Sequence, residues 1–294
     1  MRTYPECIPC ILQASLNAGR LAQAEEGKLW QALKEAAAVS AKWEKEEPPI
    51  ALGAAVARIL RERLGEGDPF SPAKREGNMK LLALYPELKA RVHAASDPLD
   101  EALHLAAAAN ALDLGVYREI DFVKTLERAL SSPKGRWDLP ELKQRLTQAR
   151  RILYLADNAG EIVADRILIE ELLELGKEVI LAVRAGPILN DVTLADLAEV
   201  DLPKEVKVIT TGSDLPGVFL PLCSPEFRQE FAGAELVVSK GMGNFEGLSA
   251  ERGPIFFLLQ AKCFPVAKEA GVEVGQLVLL GPREGAKKGH GKQG

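Results

Sequence analysis

At 294 residues with 47% apolar side chains, the chain is long enough for one large or two ordinary folded domains around a sizeable core. Its 37 basic and 42 acidic residues leave a formal charge of only −5 with no long single-sign run, which argues against a nucleic-acid or membrane-surface partner and leaves small neutral or anionic substrates open. No stretch reaches the roughly 18 consecutive apolar residues of a membrane span, and Met1 to Glu6 lacks the apolar run of a signal peptide, so the expected address is cytoplasmic.

From the N-terminus to about residue 150 the apolar spacing is helical. Ile8, Ile11, Leu12 and Leu16 form one stripe, Leu29, Trp30, Leu33 and Ala37 another, and Leu52, Val56, Ile59 and Leu60 a third. Pro48-Pro49, the Gly65 to Pro69 segment, Asp97-Pro98 and Ser131 to Gly135 interrupt the pattern, so about seven helices packed as a bundle are expected over residues 1–148. Cys7 and Cys10 frame the first helix start. A helix N-terminus can lower a thiol pKa, which would suit redox chemistry, whereas a closed metal site needs about four ligands and Cys223 and Cys263 are distant in sequence; packing is the expected role. Farther along, Asn110 and Asp113 share one face of an otherwise apolar helix, where they either bridge neighbouring helices or line a site.

After residue 148 the pattern changes. Short continuous apolar runs at Ile152 to Ala156, Val179 to Val183, Val206 to Thr210, Leu236 to Ser239, Phe256 to Leu259 and Leu277 to Leu280 read as strands. Helices are expected between them at Ala164 to Leu175, Leu194 to Glu199, Glu226 to Phe231 and Pro265 to Ala270. Strands without alternation are buried on both faces, so residues 149–283 should form an α/β domain with a doubly wound, mostly parallel, Rossmann-like sheet following the helical bundle. Residues 284–294, rich in Gly and Lys, read as a flexible tail.

Such sheets bind ligands beyond the carboxyl ends of their strands. The first strand runs into Asp157-Asn158-Ala159-Gly160-Glu161 and the second into Arg184 and then Asn190-Asp191, placing two oxygen-rich turns at one crevice. Asp157, Asn158 and Asp191 make a hard, oxygen-only ligand set suited to Mg²⁺ or Mn²⁺, open enough for softer divalent ions and for a phosphate oxygen. Each turn alone is also good helix-cap material. The fourth strand delivers Lys240-Gly241-Met242-Gly243-Asn244-Phe245-Glu246, a lysine followed by glycines whose N–H groups suit an anion, although the same residues also make ordinary turns. Only six asparagines occur in the chain, and four of them, Asn110, Asn158, Asn190 and Asn244, lie in these segments.

These residues resemble the metal-dependent damage-control phosphatases, long known as a domain of unknown function and related to acidic-residue-methyltransferase-like proteins. The resemblance covers nearly the whole chain. It rests on the Cys7-x-x-Cys10 pair, the Gly243 to Glu246 run (Gly-Asn-Phe-Glu) and the Lys262-Cys263 pair of the prokaryotic branch. Where the family often has Gly-Asn in its helical half, this chain has Ala109-Asn110. The resemblance implies a helical region before an α/β domain, metal ligands at Asp157, Asn158 and Asp191, and hydrolysis of sugar phosphates or damaged phosphometabolites with Mn, Mg, Ni or Co.

The expected mechanism puts a phosphoryl oxygen and water on the metal, the other phosphate oxygens on Lys240 and the N–H groups of Gly241 to Asn244, and proton handling on Glu161 or Glu246. Arg184 is a further phosphate candidate. Direct attack by Asp157 is the alternative within this chemistry. A methyltransferase or other nucleotide-binding α/β enzyme is the competing class, but Asp157-Asn158-Ala159-Gly160 lacks the Gly-x-Gly-x-x-Gly fingerprint and no Walker segment occurs.

Overall fold

A computed structural model describes residues 1–65, 67–112 and 122–282. The N-terminal half contains α1 (Cys7–Leu21), α2 (Glu26–Ser40), α3 (Pro49–Leu64), α4 (Ser71–Ala94), α5 (Pro98–Ala109), α6 (Phe122–Leu130), β1 (Lys134–Trp137) and α7 (Leu139–Gln148). The second half alternates β2 (Arg151–Leu155), α8 (Ile162–Glu174), β3 (Glu178–Val183), β4 (Lys207–Thr210), α9 (Pro225–Ala232), β5 (Leu236–Lys240), α10 (Gly241–Leu248), β6 (Ile255–Gln260), α11 (Phe264–Ala270) and β7 (Leu277–Leu280).

The sheet order is β1-β7-β6-β5-β2-β3-β4. Strands β2 to β6 pair in parallel, while β7 runs antiparallel to β6 and carries β1 along its outer edge. Successive residues serve opposite cores: Ile152 and Tyr154 of β2 face the side covered by α4, α5 and α8, whereas Leu153 and Leu155 face the side covered by α9, α10 and α11. Burial on both faces explains the unbroken apolar runs. Helices α4 to α7 share the first of these cores, through Leu81, Leu105, Leu126 and Leu142, while α1 to α3 close a smaller core around Ala36, Leu52 and Val56. The chain adds β3 and β4 on one side of β2, then places β5 on the other. That reversal puts the switch point, and hence the ligand crevice, at the carboxyl ends of β2 and β5.

Helix α5 reaches the crevice because of its composition. Asp97 caps it by accepting from the Asp100 amide, Pro98 occupies its first turn, and Ala106 to Ala109, all fully buried, let it lie close to α8 and the sheet before it ends at Asn110.

Two elements differ from the sequence expectation. Lys134–Trp137, which begins inside the segment Ser131 to Gly135 read as a breaker, is the edge strand β1; paired on one side only and alternately exposed, it needs no apolar run. The glycine-rich segment after β5 is helix α10 rather than a loop. Gly243 and Gly247, one turn apart, admit the backbone of a neighbouring segment, since a Cβ on either would stand 2.0 Å from the carbonyl oxygen of Pro216 or Val218.

Candidate active site

The turn after β2 and the turn before the 3₁₀ segment Ala195–Glu199 are joined by backbone. Asn158 and Asp191 form an isolated antiparallel bridge, with Val192 N donating to Asp157 O at 2.9 Å and Ala159 N to Asn190 O at 2.9 Å. A further bond from Gly160 N to Asn78 Oδ1, 2.6 Å, anchors the first turn to α4. Neither turn caps a helix with its side chain: α8 begins after Glu161. Asp157, Asn158 and Asp191 are thereby brought together and buried.

Around them lies a dense polar network. Asn110 Nδ2 donates to Asp157 Oδ2 at 3.0 Å and to Glu161 Oε1 at 3.1 Å, and Asn158 Nδ2 donates to the same oxygens at 2.9 and 2.8 Å. Turning its amide nitrogen inward leaves the Asn158 carboxamide oxygen for another partner. Arg184 Nε donates to Asp191 Oδ2 at 2.7 Å and its Nη2 to Asn244 Oδ1 at 3.0 Å, while Nη1 is buried with no hydrogen-bond partner among the described residues. Asn244 is a clamp: its Nδ2 donates to Ala156 O at 3.1 Å and Lys240 O at 2.8 Å, and its Oδ1 also accepts from Val218 N at 2.8 Å.

Lys240 is placed otherwise than expected. Its ammonium is fully buried, donating to Glu161 Oε2 at 3.1 Å and to Asp165 Oδ1, so its charge is already committed to two carboxylates instead of opening to an anion. Gly241, at φ 77°, does border the crevice, because a Cβ there would fall 1.8 Å from Asp157 Oδ2. The N-terminus of α10, whose first N–H groups have no intrahelical acceptor, therefore abuts that carboxylate. Gly243 instead serves packing against Pro216. Glu246 is turned toward the N-terminal residues, where the Met1 ammonium and the thiols of Cys7 and Cys263 sense its charge. Asp113 lies outside the described residues, as do residues 284–294.

The electrostatics show which charges are balanced. Burial pushes Asp157 well above the carboxylate range, with Glu161 and Asp191 adding to the rise and Arg184 and Lys262 opposing it. Burial likewise lifts Asp191 to about 6 against the pull of Arg184, and Asp165 to about 6 against the pull of Lys240. Glu161 also suffers desolvation, but Lys240, Lys262 and its hydrogen bonds hold it below the ordinary value. Four buried carboxylates, Asp157, Glu161, Asp165 and Asp191, thus face two buried cations, Arg184 and Lys240. The oxygen-only donor set and the excess of buried negative charge both fit a divalent cation held by Asp157, Asn158 and Asp191.

Asp165 and Lys74 escaped sequence reading, and Lys262 entered it only as half of the Lys-Cys pair, with no role at the site. Asp165 stands four positions after Glu161, hence on the same face of α8, a spacing that signals the pair once Lys240 is known to reach them. Lys74 is fully buried between Asp68 and Asp196, beneath the second turn. Lys262, just beyond β6, is partly exposed and its charge reaches both Asp157 and Glu161; its place after a strand of the parallel sheet was the available signal. At Cys7, burial overrides the helix terminus and pushes the thiol up to about 11, while Cys10 is exposed and no disulfide joins any of the four cysteines.

The fold and crevice define a doubly wound α/β protein with an acidic, amide-buttressed site at its switch point. Residues 3–278 match the model of the damage-control phosphatase ARMT1-like domain, and the chain belongs to that family. A damage-control phosphatase of Pyrococcus horikoshii is 34% identical over 284 residues, covering 95% of this chain and 98% of the relative. Another from Archaeoglobus fulgidus is 32% identical over 286 residues, and an uncharacterized protein of Methanocaldococcus jannaschii is 35% identical over 293 residues. Among solved structures, a DUF89 family protein from P. horikoshii superposes with a TM-score of 0.84 at 33% identity, covering 96% of this chain and all of that one.

Proposed function

We propose that the chain is a divalent-metal-dependent phosphatase acting in the cytoplasm on small phosphate monoesters, sugar phosphates or damaged phosphometabolites, with Asp157, Asn158 and Asp191 as the metal ligands and Mn, Mg, Ni or Co as the ion. Membership of the damage-control phosphatase family supports the phosphatase reading. The observation that carries the finer proposal is the Asn158–Asp191 backbone bridge, which holds two oxygen-rich turns together beside an arginine nitrogen that has no partner among the described residues.

When bound, the ion supplies neutralisation of phosphoryl charge and acidification of a water. The chain's own groups position the rest. Arg184 Nη1 is the buried donor left for a phosphate oxygen, and Asn244 and Asp191 fix its guanidinium from two sides. Lys262, partly exposed beside the same carboxylates, meets the substrate from the solvent side, and the N-terminus of α10 adds a favourable dipole for anionic charge. Lys240 acts one layer deeper: it keeps Glu161 ionised, and Glu161 in turn accepts from the backbone and side-chain amides of Asn158, fixing that ligand's orientation. Asn110 holds Asp157 through the same oxygen, Oδ2, that Asn158 binds.

The test is phosphate release from a panel of sugar phosphates by chelator-treated protein before and after adding Mn²⁺, Mg²⁺, Ni²⁺ or Co²⁺. Turnover is expected only with metal, and folded Asp157→Ala and Asp191→Ala variants should stay inactive. Wild-type turnover by the metal-free protein would sink the metal dependence, and full turnover by either variant the ligand assignment.

A further inference from the structure

The far end of α8 holds metal-ligating side chains that the crevice does not use. Glu171 and Glu174, three positions apart, share one face of that helix, and His93 reaches them from the last turn of α4. His93 Nε2 stands 3.5 Å from Glu171 Oε1 and 4.0 Å from Glu174 Oε1, and one donor atom from each of the three lies within 4.8 Å of the others. Those separations are long for hydrogen bonds. They approach the edge of a tetrahedron, roughly 3.3 to 3.6 Å, whose corners lie about 2.0 to 2.2 Å from a central ion.

Glu171 provides the independent pointer. It is only 7% exposed, and among the described residues its carboxylate accepts no hydrogen bond and has His93 as its one ion-pair partner. The adjacent Glu170 takes the local donors: Tyr85 at 2.6 Å, Lys89 at 2.7 Å and Arg166 at 2.8 Å. A carboxylate with so little exposure and no donor of its own besides an imidazole is stabilised when a cation supplies what is missing. His93 and Glu174 are exposed, so an ion has access from solvent and room to keep water ligands.

We propose that His93, Glu171 and Glu174 form a second divalent-metal site, one that clips the end of α4 to the end of α8. One imidazole with two carboxylates selects a borderline ion of the Zn²⁺ or Co²⁺ class over Mg²⁺ or Ca²⁺, which favour oxygen alone. The ten positions from Glu161 to Glu171 put about 15 Å of helix between this site and the crevice, so it stands independently of the proposed phosphatase chemistry.

Chelator-treated full-length protein titrated with Zn²⁺ by calorimetry, with a parallel thermal melt, tests this. The wild type is expected to bind one Zn²⁺ equivalent that Asp191→Ala retains, and to melt at higher temperature once that equivalent is bound. His93→Ala and Glu174→Gln, both at exposed positions, should lose that equivalent or weaken it by at least about tenfold, the minimum seen when even an outer partner of a metal site is removed. Their metal-free melting should match wild type, and if His93→Ala alone misfolds, Glu174→Gln decides. Wild-type Zn²⁺ stoichiometry and affinity in a folded Glu174→Gln or His93→Ala variant would overturn the proposal.

Discussion

At the N-terminal end of α8, Glu161 and Asp165 are fully buried yet share a lysine, two asparagine side chains and a backbone amide; at its C-terminal end Glu171 is nearly as short of solvent but meets one imidazole and a second glutamate. The donors at the first end saturate Glu161, whereas Asp165 has only the lysine on Oδ1 and keeps Oδ2 buried without a partner among the described residues, and Glu171 has no donor besides the imidazole. Burial is common to both ends, so the supply of donors, not depth, separates a carboxylate that is fixed in place from one that still wants a cation.

The strongest way to break that comparison is to remove the lysine. Lys240→Met should leave two buried carboxylates without their shared cation and cost about 3 to 5 kcal/mol of unfolding free energy, with partial recovery in the Lys240→Met, Asp165→Leu double variant. Chemical denaturation reads both, and a loss under 1 kcal/mol would mean that the network is not saturated by Lys240. Arg184 sharpens the contrast from the other side, as the cation with a donor to spare. Arg184→Gln is expected to lower kcat/KM by about 10²- to 10³-fold; a larger loss of turnover in a folded Lys240→Arg variant would show that Lys240 meets the substrate after all.

Asn110→Leu removes one donor from Asp157 and one from Glu161 and should cost about 1 to 3 kcal/mol. Melting indistinguishable from wild type would show that the donors left, Asn158 and Lys240, satisfy both acids. The smallest expected effect lies away from α8, at Glu246, which burial lifts to about 7 against the pull of the Met1 ammonium. Because the folded value is raised, the stabilisation is present below pH 4.5 and lost as pH rises through 7. Glu246→Gln should therefore melt higher than wild type at pH 8, by on the order of 1 kcal/mol after allowance for its partial exposure, and equally at pH 4. A constant difference across that range would exclude titration of this carboxyl.

The buried sheet was legible because its strands have apolar faces on both sides: β2, β3, β5, β6 and β7 fall within a residue or so of the runs that announced them. Edge position hid β1, whose Lys-Gly-Arg-Trp sequence pays no toll for a second apolar face. Helix α10 was obscured because glycines that admit the Pro216 and Val218 backbone look in sequence like glycines of a turn. At the crevice, strand-end position was enough to single out Asp157, Asn158, Asp191 and Arg184. What position could not reveal was pairing: that Lys240 points down to Asp165 rather than out, or that Lys262, twenty-two residues later, supplies charge to the same acids.

The bridge between Asn158 and Asp191 has a kinetic consequence. With Val192 N bound to Asp157 O, Ala159 N to Asn190 O and Arg184 N to Val192 O, neither turn can swing away without breaking the bonds of the other. The amides of Ala159 and Val192 should accordingly exchange with deuterium as a single cooperative unit, more slowly than any loop amide on the same edge of the sheet. Little rearrangement is then left to do when a ligand arrives, so association should show one phase with no slow conformational step behind it.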